Sequence, residues 1–111
     1  VAWLVREGEV LASVEVARRF RERAVGLLGR TGLEGGALLI EGAKSVHTVG
    51  MRFPIDVAFL DRSGRVVATI TPLRPFRVTL PRWSARAVLE APAGAFDRWR
   101  LRPGDALEVK G

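Results

Sequence analysis

Ile55-Asp56-Val57-Ala58-Phe59-Leu60-Asp61-Arg62-Ser63-Gly64-Arg65-Val66-Val67-Ala68-Thr69-Ile70 is the stretch on which the fold turns. Ile55 to Leu60 is a β-type run, apolar apart from Asp56. Asp61-Arg62-Ser63-Gly64 supplies turn chemistry: an Asp can bond its own backbone two residues on, and a Gly can take positive φ. Arg65 to Ile70 is β-branched and apolar again, so the chain folds back as a central hairpin. Alternation sets Asp56 on the face opposite Ile55, Val57 and Phe59; if that face is covered, the carboxylate needs a partner.

Upstream, Ala2 to Val5 and Glu9 to Ala17 are β-type runs joined by Arg6-Glu7-Gly8-Glu9, an opening hairpin. Val10, Ala12, Val14 and Val16 alternate with a mixed face, which puts one side against a core. From Arg18 to Gly29 the period changes. At about 100° per residue Phe20, Ala24, Leu27 and Leu28 share an arc opposite Arg18, Arg19, Glu22 and Arg23, which predicts a short amphipathic helix. The Gly-rich stretch from Thr31 to Gly36 ends it, and Ala37 to Ile40 resumes as a buried strand.

Downstream, Pro72, Pro75 and Pro81 leave Arg77 to Leu80 as a short edge strand at most. Ala85 to Glu90 predicts a strand, broken by Pro92-Ala93-Gly94. Ala95 to Arg100 has room for about one helical turn. Arg102-Pro103-Gly104-Asp105 has the Pro-then-Gly order of a type II turn, and Ala106 to Lys110 closes the sheet. Many short strands with Gly and Pro turns imply a mainly β fold, a small jelly-roll-like sandwich or barrel with one short amphipathic helix, as a single domain over residues 1–111.

Composition narrows the function classes. With 48% hydrophobic residues in 111, one core is affordable and a second domain is not. No apolar run approaches the ~18 residues of a membrane span. Arg6, Glu7, Glu9, Glu15, Arg18 and Arg19 interrupt the apolar stretch a signal peptide needs, so the expected location is cytoplasmic with no membrane partner. Without cysteine, and with His47 as its one histidine, the chain offers no thiolate or multi-histidine zinc site, and no cofactor is expected. Lys44 and Lys110 are the two lysines, every other basic residue except His47 is Arg, and Asn, Gln and Tyr are absent. Thermophilic depletion of labile amides and a GC-rich genome both account for that bias. The net charge of +6 bears on solubility and encounter with polyanions.

Four blocks, Arg23-Ala24-Val25-Gly26-Leu27-Leu28-Gly29-Arg30, His47-Thr48-Val49-Gly50-Met51-Arg52-Phe53-Pro54-Ile55-Asp56-Val57, Leu89-Glu90-Ala91-Pro92-Ala93-Gly94 and Gly104-Asp105, together resemble the domain-of-unknown-function family 192 (DUF192) over roughly residues 10–110. Many members carry Met where Leu28 stands and a Trp-Met-Lys-Asn-Thr type segment at positions 47–51, so this chain is similar to the branch with a His-Thr-x-x-Met-x-Phe-Pro-Ile-Asp-Val block. The resemblance implies a compact all-β, jelly-roll-like fold, found inside or outside the cytoplasm depending on an added leader. It implies no activity and carries over no functional residue.

His47 is the side chain whose unperturbed pKa lies nearest neutrality, and Thr48, Asp56, Asp61 and Glu90 are the polar groups that could meet it. The plainer reading makes His47 and the carboxylates structural, satisfied by backbone or Arg partners. The sharper reading makes His47, Thr48, Asp56 and Glu90 a binding site. Gly26, Gly29, Gly32, Gly35 and Gly36 follow a helix and lack a Gly-Lys-Ser/Thr ending, which argues against a phosphate loop. Ser13, Ser45, Ser63 and Ser84 have no nucleophile signature. Three Arg groups (Arg18, Arg19, Arg21, Arg23; Arg74, Arg77, Arg82, Arg86; Arg98, Arg100, Arg102), with Phe76, Trp83 and Trp99 among the last two, have the make-up of a single-strand nucleic-acid grip. Against that, the helix Arg residues form an ordinary solvated face, and the tryptophans are expected mainly in the core or its rim. The leading expectation is a non-enzymatic binding or accessory module for a small ligand, sugar or protein segment. A small hydrolase or isomerase using His47 with Asp56 or Glu90 is the first alternative, and nucleic-acid binding the second. Oligomeric state leaves no mark in the sequence.

Overall fold

The computed structural model describes residues 2–17 and 36–111. The expected helix from Arg18 to Gly29, the Gly-rich stretch that follows it up to Gly35 and the first Arg group lie outside the described residues. Strands β1 (Ala2–Arg6), β2 (Glu9–Ala17), β3 (Ala37–Glu41), β4 (Ile55–Leu60), β5 (Val66–Leu73), β6 (Ala87–Pro92) and β7 (Glu108–Lys110) form one sheet ordered β5-β4-β6-β3-β2-β1-β7. The helix α1 (Ala95–Trp99) follows β6. The fold is mainly β, as expected. β2 and β3 pair in parallel and every other neighbour pair is antiparallel.

β4 lies between β5 and β6 with every residue buried, which is why its sequence is an almost unbroken apolar run. The turn into β5 is built by Asp61, whose Oδ1 accepts from the Ser63 N–H (2.9 Å), the Ser63 hydroxyl (2.8 Å) and the Arg65 N–H (3.0 Å). In the opening hairpin Glu7 (φ 49°) and Gly8 (φ 80°) are both left-handed, the conformation of a two-residue turn that matches strand twist. Within β2 the alternation fails at Val10, which is 57% exposed. The strand pairs with β3 only from Val14 onward, so its first half has a neighbour on one side alone.

The sheet curls until its two edges meet. Arg65 bridges Ala106, and three backbone bonds join the strand ends: Val66 N–H to Asp105 O (2.8 Å), Gly104 N–H to Val66 O (2.7 Å) and Leu107 N–H to Gly64 O (2.9 Å). Inside the curl, Leu4, Val14, Ala58, Leu60 and Leu89 pack with Phe96 of α1. Outside it, the other face of β4 and β6 (Ile55, Val57, Phe59, Val88) is covered by Val46, Met51, Leu73 and Ala85.

Local boundaries differ where tertiary pairing overrides the local residue signal. β5 runs through Pro72 because it is an edge strand there, paired with β4 alone. β6 runs through Pro92, opposite Ile55, and the break falls at Gly94, whose φ is 93°. Arg77 to Leu80 forms no named strand, only a bridge between Val78 and His47.

Candidate functional site

Thr48 is fully buried and makes most of its hydrogen bonds to the segment from Arg74 to Arg77, its carbonyl accepting in addition from the Met51 N–H (3.2 Å). Its hydroxyl donates to Arg74 O (2.6 Å) and accepts from the Arg77 N–H (3.0 Å). Its N–H donates to Arg77 O (2.8 Å) and its carbonyl accepts from the Phe76 N–H (2.9 Å). His47, half-buried beside it, stands opposite Val78 and has polar or electrostatic company of its own.

Asp56 and Glu90 lie on opposite faces of the sheet. Glu90 is the register partner of Val57 and Leu38, so it shares the outer face with Val57 and Phe59; it is fully buried and not without a partner. Asp56 is the partner of Ala91 and points into the curl. Its Oδ2 accepts both the Gly94 N–H and the Phe96 N–H at 3.0 Å, so a carboxylate 2% exposed is held by backbone donors of α1. The structure therefore joins His47 with Thr48, and separates Asp56 from Glu90.

Beside Asp56 opens a cleft of about 480 Å³, lined among others by Thr69, Thr71, Asp97, Arg100 and Arg102. Thr69 pairs with Ala58, which places its side chain on the Asp56 face. Among the described residues, none of these five side chains is in a hydrogen bond or ion pair, and Asp56 Oδ1 accepts nothing. The rim is stiff. Arg100 has φ 54°, and the Arg6 guanidinium, paired with Asp105 at 3.1 Å, donates to Trp99 O (2.8 Å) and Arg100 O (3.4 Å). Sequence reasoning named Asp56 and the Arg100–Arg102 group but missed Thr69, Thr71 and Asp97. The signal for the threonines was available: alternate polar positions on β5 face the same way as Asp56 across the hairpin.

Trp99 is half-buried against Phe96, with ring centroids 5.7 Å apart. Trp83 departs from the expected core or rim placement and is 76% exposed. Its carbonyl accepts from Lys44 Nζ (3.3 Å) and Arg86 (3.0 Å), which fixes the backbone and leaves the indole outside. Among the described residues, no three His, Asp or Glu side chains cluster as a metal site, and no helix is long and apolar enough to cross a membrane.

The DUF192 family model, described as an uncharacterized ACR, matches residues 3–109. A UPF0127 protein of Pyrococcus abyssi is 35% identical over 86% of this chain and 84% of its own length. One from Pyrococcus horikoshii is 32% identical over 92% and 88%. Among solved structures, a protein of unknown function from Novosphingobium aromaticivorans superposes with a TM-score of 0.78 at 25% identity, over 96% of this chain and 82% of that one. A Sinorhizobium meliloti protein superposes at 0.80 with 24% identity, over 97% and 91%, a likeness of fold.

Proposed function

This chain belongs to the DUF192 family, and from that premise we propose that it is a non-enzymatic binding module whose site is the cleft beside Asp56. Its ligand is a small polyhydroxylated molecule carrying one anionic group. The observation that carries this reading is the unspent polarity of the cleft: among the described residues, the Thr69 and Thr71 hydroxyls, the Asp97 carboxylate, the Arg100 and Arg102 guanidiniums and the second oxygen of Asp56, Oδ1, face one space without a hydrogen bond or ion pair to the protein. Thr71, Asp97, Arg100 and Arg102 are exposed and Thr69 half-buried, so water serves them in the free protein and a ligand of the cleft's size can take its place. Arg100 and Arg102 suit a carboxylate or phosphate. Asp56 Oδ1 and Asp97 accept hydroxyl donors, and Thr69 and Thr71 both donate and accept. Binding is favoured over acid–base chemistry because neither His47 nor Glu90 lines this cleft.

Glucuronate, glucose 6-phosphate and glucose, titrated separately into isotope-labelled protein, test the reading and separate carboxylate from phosphate recognition. At least one anionic sugar shifts the amides of Thr69, Thr71, Gly94 and Arg100, and glucose binds more weakly. Arg102→Ala, at an exposed position, lowers the anion's affinity roughly tenfold. Asp56→Asn, whose amide oxygen still accepts both α1 donors, weakens every sugar that binds. Amides of the cleft that stay still with all three probes would overturn the proposal.

A further inference from the structure

Away from the cleft, residues 77–79 lie along 46–48 as a short two-stranded ladder, entered through a turn at Phe76, whose φ is 60°. Thr48 N–H donates to Arg77 O (2.8 Å), Thr79 N–H donates to Val46 O (2.9 Å), and Val46 N–H donates to the Thr79 hydroxyl (2.9 Å). His47 and Val78 face each other between these bonds. A pair bridged through its neighbours turns its own N–H and C=O outward. Among the described residues the Val78 N–H and carbonyl are in no hydrogen bond, so this is an open strand edge.

The side chains along that edge are unusual for a solvated surface. Phe76 is 65% exposed, Val78 72%, Leu80 86% and Trp83 76%. Natural edges are blunted by charge, proline or brevity. Here Pro75 and Pro81 bracket the edge, but the alternate positions between them are apolar rather than charged. Behind them opens a second cleft of about 570 Å³, lined by Phe59, Ile70 and Leu73 as well as by Arg77, Arg82 and Trp83. The Arg82 guanidinium sits 5.6 Å from the Phe59 ring centroid. The two segments that build this face, residues 43–54 and 71–86, carry Lys44, Arg52, Arg74, Arg77, Arg82 and Arg86 and no Asp or Glu.

We infer that the 76–80 edge takes an extended, acidic and apolar segment of a partner protein as an added strand. The outward Val78 N–H and C=O supply the ladder bonds, Phe76, Val78, Leu80 and Trp83 bury alternate apolar side chains, and the surrounding cations pair with the segment's carboxylates. A second copy of this chain is a poor occupant, because pairing the edge with itself sets like charges against each other. Single-stranded nucleic acid would use the cations, Phe76 and Trp83, but leaves the exposed Val78 and Leu80 and the open backbone without a role.

Short end-blocked peptides alternating Leu with Glu, Leu with Lys, and Ser with Glu, together with oligothymidylate, are titrated into the full isotope-labelled chain. The Leu–Glu peptide shifts the amides of residues 76–80 and the Trp83 indole, and protects the Val78 amide from hydrogen exchange. The Leu–Lys and Ser–Glu peptides bind at least roughly tenfold more weakly. Leu80→Ser and Trp83→Ser, at exposed positions that leave the core untouched, each weaken the Leu–Glu peptide by a similar factor. Equal binding of the Leu–Lys peptide, binding without protection of Val78, or capture of oligothymidylate on this face in place of the Leu–Glu peptide overturns the inference.

Discussion

The Thr48 hydroxyl joins two backbone bonds in holding the segment from Arg74 to Arg77 against the body of the protein, donating to one carbonyl and accepting from one N–H. Thr48→Val keeps the shape and removes both hydroxyl bonds, leaving the Arg77 N–H and the Arg74 carbonyl short of a partner beside a fully buried side chain. The expected cost is about 1–3 kcal/mol in denaturant unfolding, with faster hydrogen exchange at Arg77, while Thr48→Ser recovers most of it. A valine variant as stable as the parent would mean these bonds contribute nothing net. Asp56 shows where reading a sequence stops at this scale. Its position on a face opposite Ile55 and Val57 followed from alternation, and so did its need for a partner. That the partners are the N–H groups of Gly94 and Phe96 did not follow, because donors 38 and 40 residues away are set by where α1 lands, and no local pattern encodes that.

At the scale of elements, the two hairpins were legible because each is a local event: a period-2 or apolar run, turn residues, and a return run. The β4–β5 turn adds a pH dependence. Its carboxylate, Asp61, is held below the ordinary 3.8 first by the Ser63 hydroxyl and then by the Arg65 N–H; a smaller cost of desolvation opposes these two, and the Ser63 N–H and the Arg65 charge add lesser support. A folded pKa lower than the unfolded one stabilises the fold at pH values above the unfolded pKa, and that contribution is lost as pH falls through the folded pKa. The thermal midpoint of the parent should therefore fall more between about pH 5 and pH 2 than that of Asp61→Asn, which has no proton to take up there. Parallel decline of the two proteins would unlink the turn from the acid transition. The 77–80 segment was legible in part. Its prolines argued against a central strand and left a short edge strand at most, and the structure has a single bridge at Val78. Its exposed apolar edge depends on a register with residues 46–48 that lies in neither segment alone.

For the whole molecule, the mainly β class was written in the succession of short runs and turns, whereas the closure of the sheet was not, since it joins the start of β5 to residues just before β7, about forty positions later. Gly64 and Gly104 sit together at that closure, with φ of 87° and 98°, so an alanine at either meets the same backbone cost of about 1–2 kcal/mol. Their surroundings differ. A Cβ on Gly104 reaches nothing, whereas a Cβ on Gly64 runs into the carbonyl oxygen of Leu107, a backbone atom that moves only if the two strand ends part. Gly64 also accepts the Leu107 N–H, so the same displacement breaks a bond of the closure. Gly104→Ala should accordingly show the conformational cost alone, and Gly64→Ala at least about 1 kcal/mol more, with the Leu107 and Val66 amides exchanging faster while those of β3 and β6 keep their protection. Equal destabilisation by the two substitutions would show that the edges meet without holding each other, and the stability of the curl would then rest on its apolar interior around Phe96 and Leu89.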